Sequence, residues 1–129
     1  MPMLMKKGVG RGIKKFLDKN DIKIQAWYPL GHGDKGLINE AVFSKLAEKY
    51  GKSNVQIILR WHIQAGNIVI PGASNPDHIK ANIDIFDFEL TPKEMEEIAK
   101  VNKNKRYYEG TPDKLASYVA MRPDLDGQK

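Results

Sequence analysis

The chain has no cysteine in its 129 residues, which excludes disulfides, thiolate metal sites and a cysteine nucleophile. It also lacks any apolar run near the roughly 18 residues that a helical membrane span requires. Lys6 and Lys7 are not followed by an apolar stretch, so residues 1–10 do not read as a secretory leader. These absences together suit a cytoplasmic protein with no membrane partner. The three histidines, His32, His62 and His78, have no metal-ligand spacing, which speaks against a zinc site. There is no internal repeat and no low-complexity tract.

An excess of positive charge is present, but only at one end. Residues 1–19 hold Lys6, Lys7, Arg11, Lys14, Lys15 and Lys19 against Asp18 alone, and this accounts for the whole net charge of +5. Phe16 is the one aromatic among them, whereas a nucleic-acid footprint interleaves basic side chains with stacking aromatics. The arm therefore reads as a solvated helix face and nucleic acid as an improbable partner. Gly8, Gly10 and Gly12 suggest a phosphate loop only superficially, because no strand precedes them and the spacing is not G-x-G-x-x-G.

Hydrophobic residues make up 41% of the chain and charged residues 29%, an ordinary globular composition. The length suits about one domain. The pattern divides it into a basic lead over 1–12, a folded portion over 13–121 and a polar tail over 122–129. Ile13, Phe16 and Leu17 mark a first helix ending near Asn20. Residues 22–27 alternate apolar and polar and predict a strand. Residues 28–36 are rich in glycine and read as a loop. Asn39 is placed to cap a helix carrying Val42, Phe43, Leu46, Ala47 and Tyr50, with Gly51 as its stop. Ser53 and Gln56 form a capping box opening a helix with Val55, Ile58, Leu59, His62 and Ile63 on one side, stopped by Gly66.

The run Ile68-Val69-Ile70 predicts a strand buried on both faces. Asn75-Pro76 reads as an N-cap with proline in the first turn, opening a helix that presents Ile79, Ile83 and Phe86. Thr91 and Glu94 make a second capping box, with Met95, Ile98 and Ala99 inward. Thr111-Pro112 opens a last helix through Leu115 and Val119. The Glu94-Met95-Glu96-Glu97 run reads as a solvated helix start, favourable at the positive end of the dipole. Strands separated by helices indicate an α/β fold with parallel pairing. Only two strands are evident, however, too few for a stable isolated sheet.

Four motifs then stand out in order: Ala26-Trp27-Tyr28-Pro29-Leu30-Gly31, Leu59-Arg60-Trp61, Ile70-Pro71-Gly72 and Phe86-Asp87-Phe88-Glu89-Leu90-Thr91. With their spacing, residues 13–120 resemble the C-terminal part of an aldo-keto reductase. The resemblance implies part of a TIM (β/α)8 barrel and NAD(P)H-dependent reduction of aldehydes or ketones. Residues 22–27 would then be the seventh barrel strand and 68–71 the eighth, each running into a loop at the end where barrel enzymes place their sites.

The resemblance also implies a cofactor site. Trp27 matches the aromatic that stacks on the nicotinamide ring, and Leu30, Gly31 and His32 match the loop over the pyrophosphate. The positions that hold the adenosine 2′-phosphate and the adenine read Gly72, Ala73, His78, Ala81 and Asn82, of which Asn82 fits, and Ser74 and Asn75 between them still offer polar groups. The family's lysine, arginine and glutamate are missing among them, which weakens either the preference for NADP(H) over NAD(H) or cofactor binding generally. Asn75 heads a helix whose backbone N–H groups suit a phosphate.

No catalytic residue is assigned. The family's Asp, Tyr, Lys and His set lies upstream of anything matching this chain. Tyr107 and Tyr108 beside Lys105 and Arg106 read as amphipathic rim residues, and His62 as a hydrogen-bonded core or boundary histidine. A complete barrel takes roughly 250 residues. Three readings follow: a piece of a longer reductase, inactive alone; a half-barrel remnant that self-associates through its open sheet edges into a homo-oligomer; or a remnant that binds nucleotide or complements an upstream half made separately. A small carbonyl substrate is expected only if the missing half is supplied.

Overall fold

The computed structural model describes residues 11–26, 29–33, 35–101 and 111–121. Helix α1 spans Arg11–Lys19, and strand β1 spans Ile24–Ala26. A 3-10 turn over Gly31–Gly33 leads into a short helix, α2, Lys35–Ile38. Helices α3 (Ala41–Tyr50) and α4 (Asn54–Gln64) form a hairpin that returns the chain to β2, Asn67–Val69. Helices α5 (Pro76–Ile83), α6 (Pro92–Ala99) and α7 (Pro112–Ala120) complete the order. The two strands pair in parallel, with Ile24 opposite Asn67, Gln25 opposite Ile68 and Ala26 opposite Val69.

Local chemistry accounts for most of these boundaries. Ser53 Oγ accepts from Gln56 N while Gln56 Oε1 accepts from Ser53 N, closing the capping box of α4. Thr91 and Glu94 do the same for α6. Asn75 Oδ1 accepts from Asp77 N ahead of Pro76, and Thr111 Oγ1 accepts from Lys114 N ahead of Pro112. Gly51 takes the left-handed conformation, φ 64°, that ends α3, and Gly66 at φ 80° follows α4.

The core gathers Leu37, Phe43, Leu46, Ile57, Ile58, Trp61, Leu90 and Ile98. Helix α4 is buried over most of its circumference, because α3 packs on one side and β2 on another. Gln56, buried with it, donates to the carbonyls of Ala81 and Asp84. Gln64 donates to Leu90 O and accepts from Leu90 N, fixing the segment before α6. Trp61 Nε1 donates to Met95 O at 3.2 Å.

Several expectations are corrected. The N-cap of α3 is Glu40, whose side chain does not cap the helix, since Asn39 is taken into the turn that closes α2. Part of the glycine-rich segment 28–36 is regular, because Leu37 is fully buried and draws α2 onto the core. Strand β2 is not buried on both faces: Asn67 is buried, but Ile68 is exposed and Ile70 is 65% exposed. One face meets α4, while the other, shared with Gln25, is open because two strands do not curl around an interior. Ala99 is exposed rather than inward, one position past the buried Ile98.

Glu94 is not a solvated residue of a helix start. It is buried and accepts from the Tyr50 hydroxyl at 2.6 Å, from Lys49 Nζ and from Thr91 N at 2.8 Å. Burial pushes its carboxyl up, but these donors prevail and hold it at about 2. The cluster fastens α6 to α3. A folded-state pKa below the unfolded one gives stability that is present above pH 4.5 and is lost as pH falls towards 2. Glu94→Ala removes the cap partner and leaves the Tyr50 hydroxyl bare. A loss of about 2–4 kcal/mol in urea unfolding at pH 7 is expected, shrinking as the pH is lowered below 4.

Candidate functional site

Parallel pairing puts the C-terminal ends of β1 and β2 on the same side of the sheet, so the loops that leave them are neighbours there. The loop after β1 carries Pro29, which is buried, and Leu30, which packs against the core. Gly31 adopts φ 64° and opens the 3-10 turn, closed by Gly33 N donating to Leu30 O. Trp27 lies outside the described residues, as do Tyr107 and Tyr108.

Six of the nine expected cofactor positions are gathered after β2. Gly72, Ala73 and Ser74 form an extended loop, Asn75 caps α5, and His78 and Asn82 follow on that helix. Gly72, Ser74, Asn75 and His78 are exposed, whereas Ala73 and Asn82 are half-buried. Ala73 and Asn82 line a cleft of about 460 Å³ between α5, the end of α4 and β2. Ile63, Val69, Pro71, Ile79, Ile83, Ile85 and Phe86 supply the rest of its lining. Ile79, Ile83 and Phe86 thus face this cleft and solvent rather than the core: α5 buries no residue. The sequence pattern put Ile79 and Ile83 on one side of α5, whereas Phe86, expected with them, lies beyond the end of the helix and reaches the cleft from the following segment.

The polar inventory is uneven. Asn75 already satisfies Asp77 N, and Asp77 sets a carboxylate in the first turn of α5. No lysine or arginine occurs over 71–79. This loop therefore offers backbone N–H groups, the Ser74 hydroxyl and an apolar cleft, a set suited to a nucleoside more than to a doubly charged phosphate. Gly72 has no positive φ, and a Cβ added there would meet nothing within 4 Å. A longer side chain at that position is sterically free.

Beneath the loops lies a pair that the sequence did not disclose. His62 is fully buried, as expected for a core histidine, and its Nδ1 is 3.3 Å from Asn67 Nδ2. Asn67, the first residue of β2, is buried as well; as a polar residue it gave no sign of that in a strand boundary. The ring of Trp61 meets that of His62 edge-on at 5.1 Å. Among the described residues, neither His62 Nε2 nor Asn67 Oδ1 has a hydrogen-bond partner. Burial pushes His62 down to about 4, opposed by the backbone of Pro29 on the loop after β1. Among the described residues, no group of three or more His, Asp or Glu side chains could hold a metal ion.

Comparisons with known proteins identify the family and the fold. The Aldo/keto reductase family profile matches residues 34–103, more than half of the chain. The chain belongs to the aldo/keto reductase family. It is 44% identical over 85 residues to the methylglyoxal reductase DkgA of Escherichia coli K12, covering 66% of this chain and 31% of that protein. It is 46% identical over 88 residues to an aldo-keto reductase of Mycolicibacterium smegmatis, with 68% and 31% covered. Among solved structures, the deep-sea metagenome aldo-keto reductase MGS-M4 superposes with a TM-score of 0.74 at 31% identity, covering 82% of this chain and 39% of that one. The Bombyx mori aldo-keto reductase in complex with NADP gives 0.72 at 32% identity, with 82% and 36% covered.

The chain spans about a third of the length of these relatives, and its fold is a partial (β/α)8 barrel. No described helix is long and apolar enough to cross a membrane.

The buried imidazole gives a pH signature. Because the folded pKa lies below the unfolded one, protonation favours the unfolded chain; stability is intact above pH 6.5 and falls as pH drops towards 4. Denaturant midpoints measured across that window are expected to show a loss on the order of 3 kcal/mol. His62→Gln should flatten the slope; an unchanged slope would show that other groups dominate the window.

Proposed function

We propose that this chain is the cofactor-binding third of an aldo/keto reductase barrel and reduces no carbonyl by itself. The observation that carries the reading is the clustering of Gly72, Ala73, Ser74, Asn75, His78 and Asn82 beyond the C-terminal end of β2, in a chain of this family. There they would hold the adenosine end of a nicotinamide dinucleotide, with Leu30 and Gly31 under its pyrophosphate and Trp27 against the nicotinamide. The dinucleotide supplies a hydride for an aldehyde or ketone when bound. This chain would supply binding and orientation, and the proton donor would come from the part of the barrel outside it. A cytoplasmic setting suits a chain without cysteine.

The residues present fit the adenosine better than its 2′-phosphate. Asp77 opposes a phosphate at the start of α5, and Gly72 and His78 stand where cations would pair with it. NAD(H) is therefore favoured relative to the family's NADP(H). Incubated alone with NADH or NADPH and a panel of aldehydes, the chain is expected to give no turnover above a buffer control. Hydride transfer by material free of contaminating reductase would refute the reading. The paired substitution Gly72→Lys and His78→Arg is expected to shift the NADPH-to-NADH affinity ratio towards NADPH by about tenfold or more, read by calorimetric titration. An unchanged ratio would remove these positions from the site. A second reading, association of the chain with itself, is favoured by the exposure of Ile68 and Ile70 on the open sheet face.

A further inference from the structure

Helix α5 ends in a tight turn that is gripped from outside. Asp84, at φ −81° and ψ 59°, is the centre of an inverse γ-turn, closed by Ile85 N donating to Ile83 O at 2.9 Å. The turn sends Ile85 inward and leaves Phe86 exposed beside the cleft. Two side chains of the α3–α4 hairpin meet it. Gln56 Nε2 donates to the carbonyls of Ala81 and Asp84, each at 3.0 Å. Lys52, in the connection between α3 and α4, donates to Asp84 O at 3.3 Å, to Asp84 Oδ2 at 3.0 Å and to Asp87 Oδ2 at 2.8 Å.

An ammonium has three N–H donors, and all of these go to the stretch from Asp84 to Asp87. The Lys52 side chain is only 10% exposed, and the Phe88 ring lies 5.6 Å from its charge. Ending a helix requires partners for its last carbonyls alone. Lys52 reaches further and fixes the course of the chain beyond the helix, where Ile85 and Phe86 form one wall of the cleft. Because α5 buries no residue, these polar bonds weigh heavily in where it stands relative to Ile63 and Val69.

We infer that Lys52 is a positioning residue of the nucleotide site: itself outside the cofactor positions, it sets the width of the cleft of Ala73 and Asn82 by holding Asp84 and Asp87. The inference rests on the cofactor-site reading above and divides that site in two. Lys52 governs the adenosine end alone, since Leu30 and Gly31 belong to the loop after β1 and have no bond to this clamp.

The test is Lys52→Met in the full chain. Methionine keeps an unbranched apolar stem beside Phe88 and removes the three donors. The two carboxylates left unpaired are more than half exposed, so the circular dichroism spectrum should not change. Amide exchange at Asp84 and Ile85, read by NMR, should quicken about tenfold, with Met95 of α6 unaffected. Adenosine 5′-monophosphate should bind about tenfold more weakly, while the affinity for reduced nicotinamide mononucleotide stays as in the wild type. The variant Asp84→Ala with Asp87→Ala, made at exposed residues, should reproduce both effects, and Lys52→Met added to it should cost little more. Lys14→Met, which breaks the Lys14–Asp18 pair of α1, should move neither readout. Unchanged exchange at Asp84 and Ile85, equal loss of both half-ligands, or full additivity of the combined variant would overturn the inference. A wild-type chain that binds neither half-ligand counts against the cofactor-site reading instead, and the exchange rates then decide whether Lys52 holds this wall.

Discussion

The burial of α4 is the constraint on which the other placements depend. Ile57, Ile58, Leu59 and His62 are fully enclosed, with Gln56 and Trp61 close behind, so no continuous polar stripe is left on the helix between Gln56 and His62. A helix of that kind must be covered on several sides at once. Helix α3 covers it on one side and β2 on another, and the polar groups it buries reach outward to hold more distant chain. Gln56 takes the carbonyls at the end of α5, Gln64 takes Leu90, and Trp61 takes Met95. The region from α2 to α6 is therefore a layer organised about one helix, and the two strands are the part of it that lacks a full neighbourhood.

That division explains why the molecule is well determined on one side and open on the other. Helices α3, α4 and α6 bury their apolar residues against one another within the chain. The sheet buries one face against α4 and leaves Gln25, Ile68 and Ile70 outside. Helix α5 has no buried residue and is held by its cap and by Gln56 at its end. The described residues proposed for cofactor binding lie on this less enclosed side, at the strand ends, where a barrel places its chemistry. Lys52 strengthens the junction between the two sides: its ammonium bridges Asp84 and Asp87, and the Lys52 pair holds the Asp87 carboxyl below its ordinary range.

Much of the fold was legible where a short-range rule decides the outcome. The pairs Ser53–Gln56 and Thr91–Glu94, the caps Asn75 and Thr111, and the stop at Gly51 all depend on residues within four positions. What escaped depends on distant partners. Glu94 sits in a run that looks solvated, and only Tyr50 and Lys49, more than forty positions away, make it a buried hub. Asn67 reads as strand-edge punctuation until His62 is seen beside it. The exposure of Ile70 reverses an inference that holds for a complete parallel sheet, since the pattern reports the environment for which the strand is suited. The candidate site was legible as six nearly consecutive positions after β2, but not as the wall of a cleft shared with α4.

The parallel register of the sheet has a consequence for how the chain folds. Ile24 pairs with Asn67, and that contact spans the whole α3–α4 hairpin. Contacts within the hairpin close short loops, whereas β1 and β2 meet only after a long one is closed, at a greater cost in chain entropy. The helices should therefore acquire protection from amide exchange before either strand does, with the sheet forming as the last cooperative step. A nascent chain in that interval would carry a finished helical hairpin with an unpaired strand on each side of it.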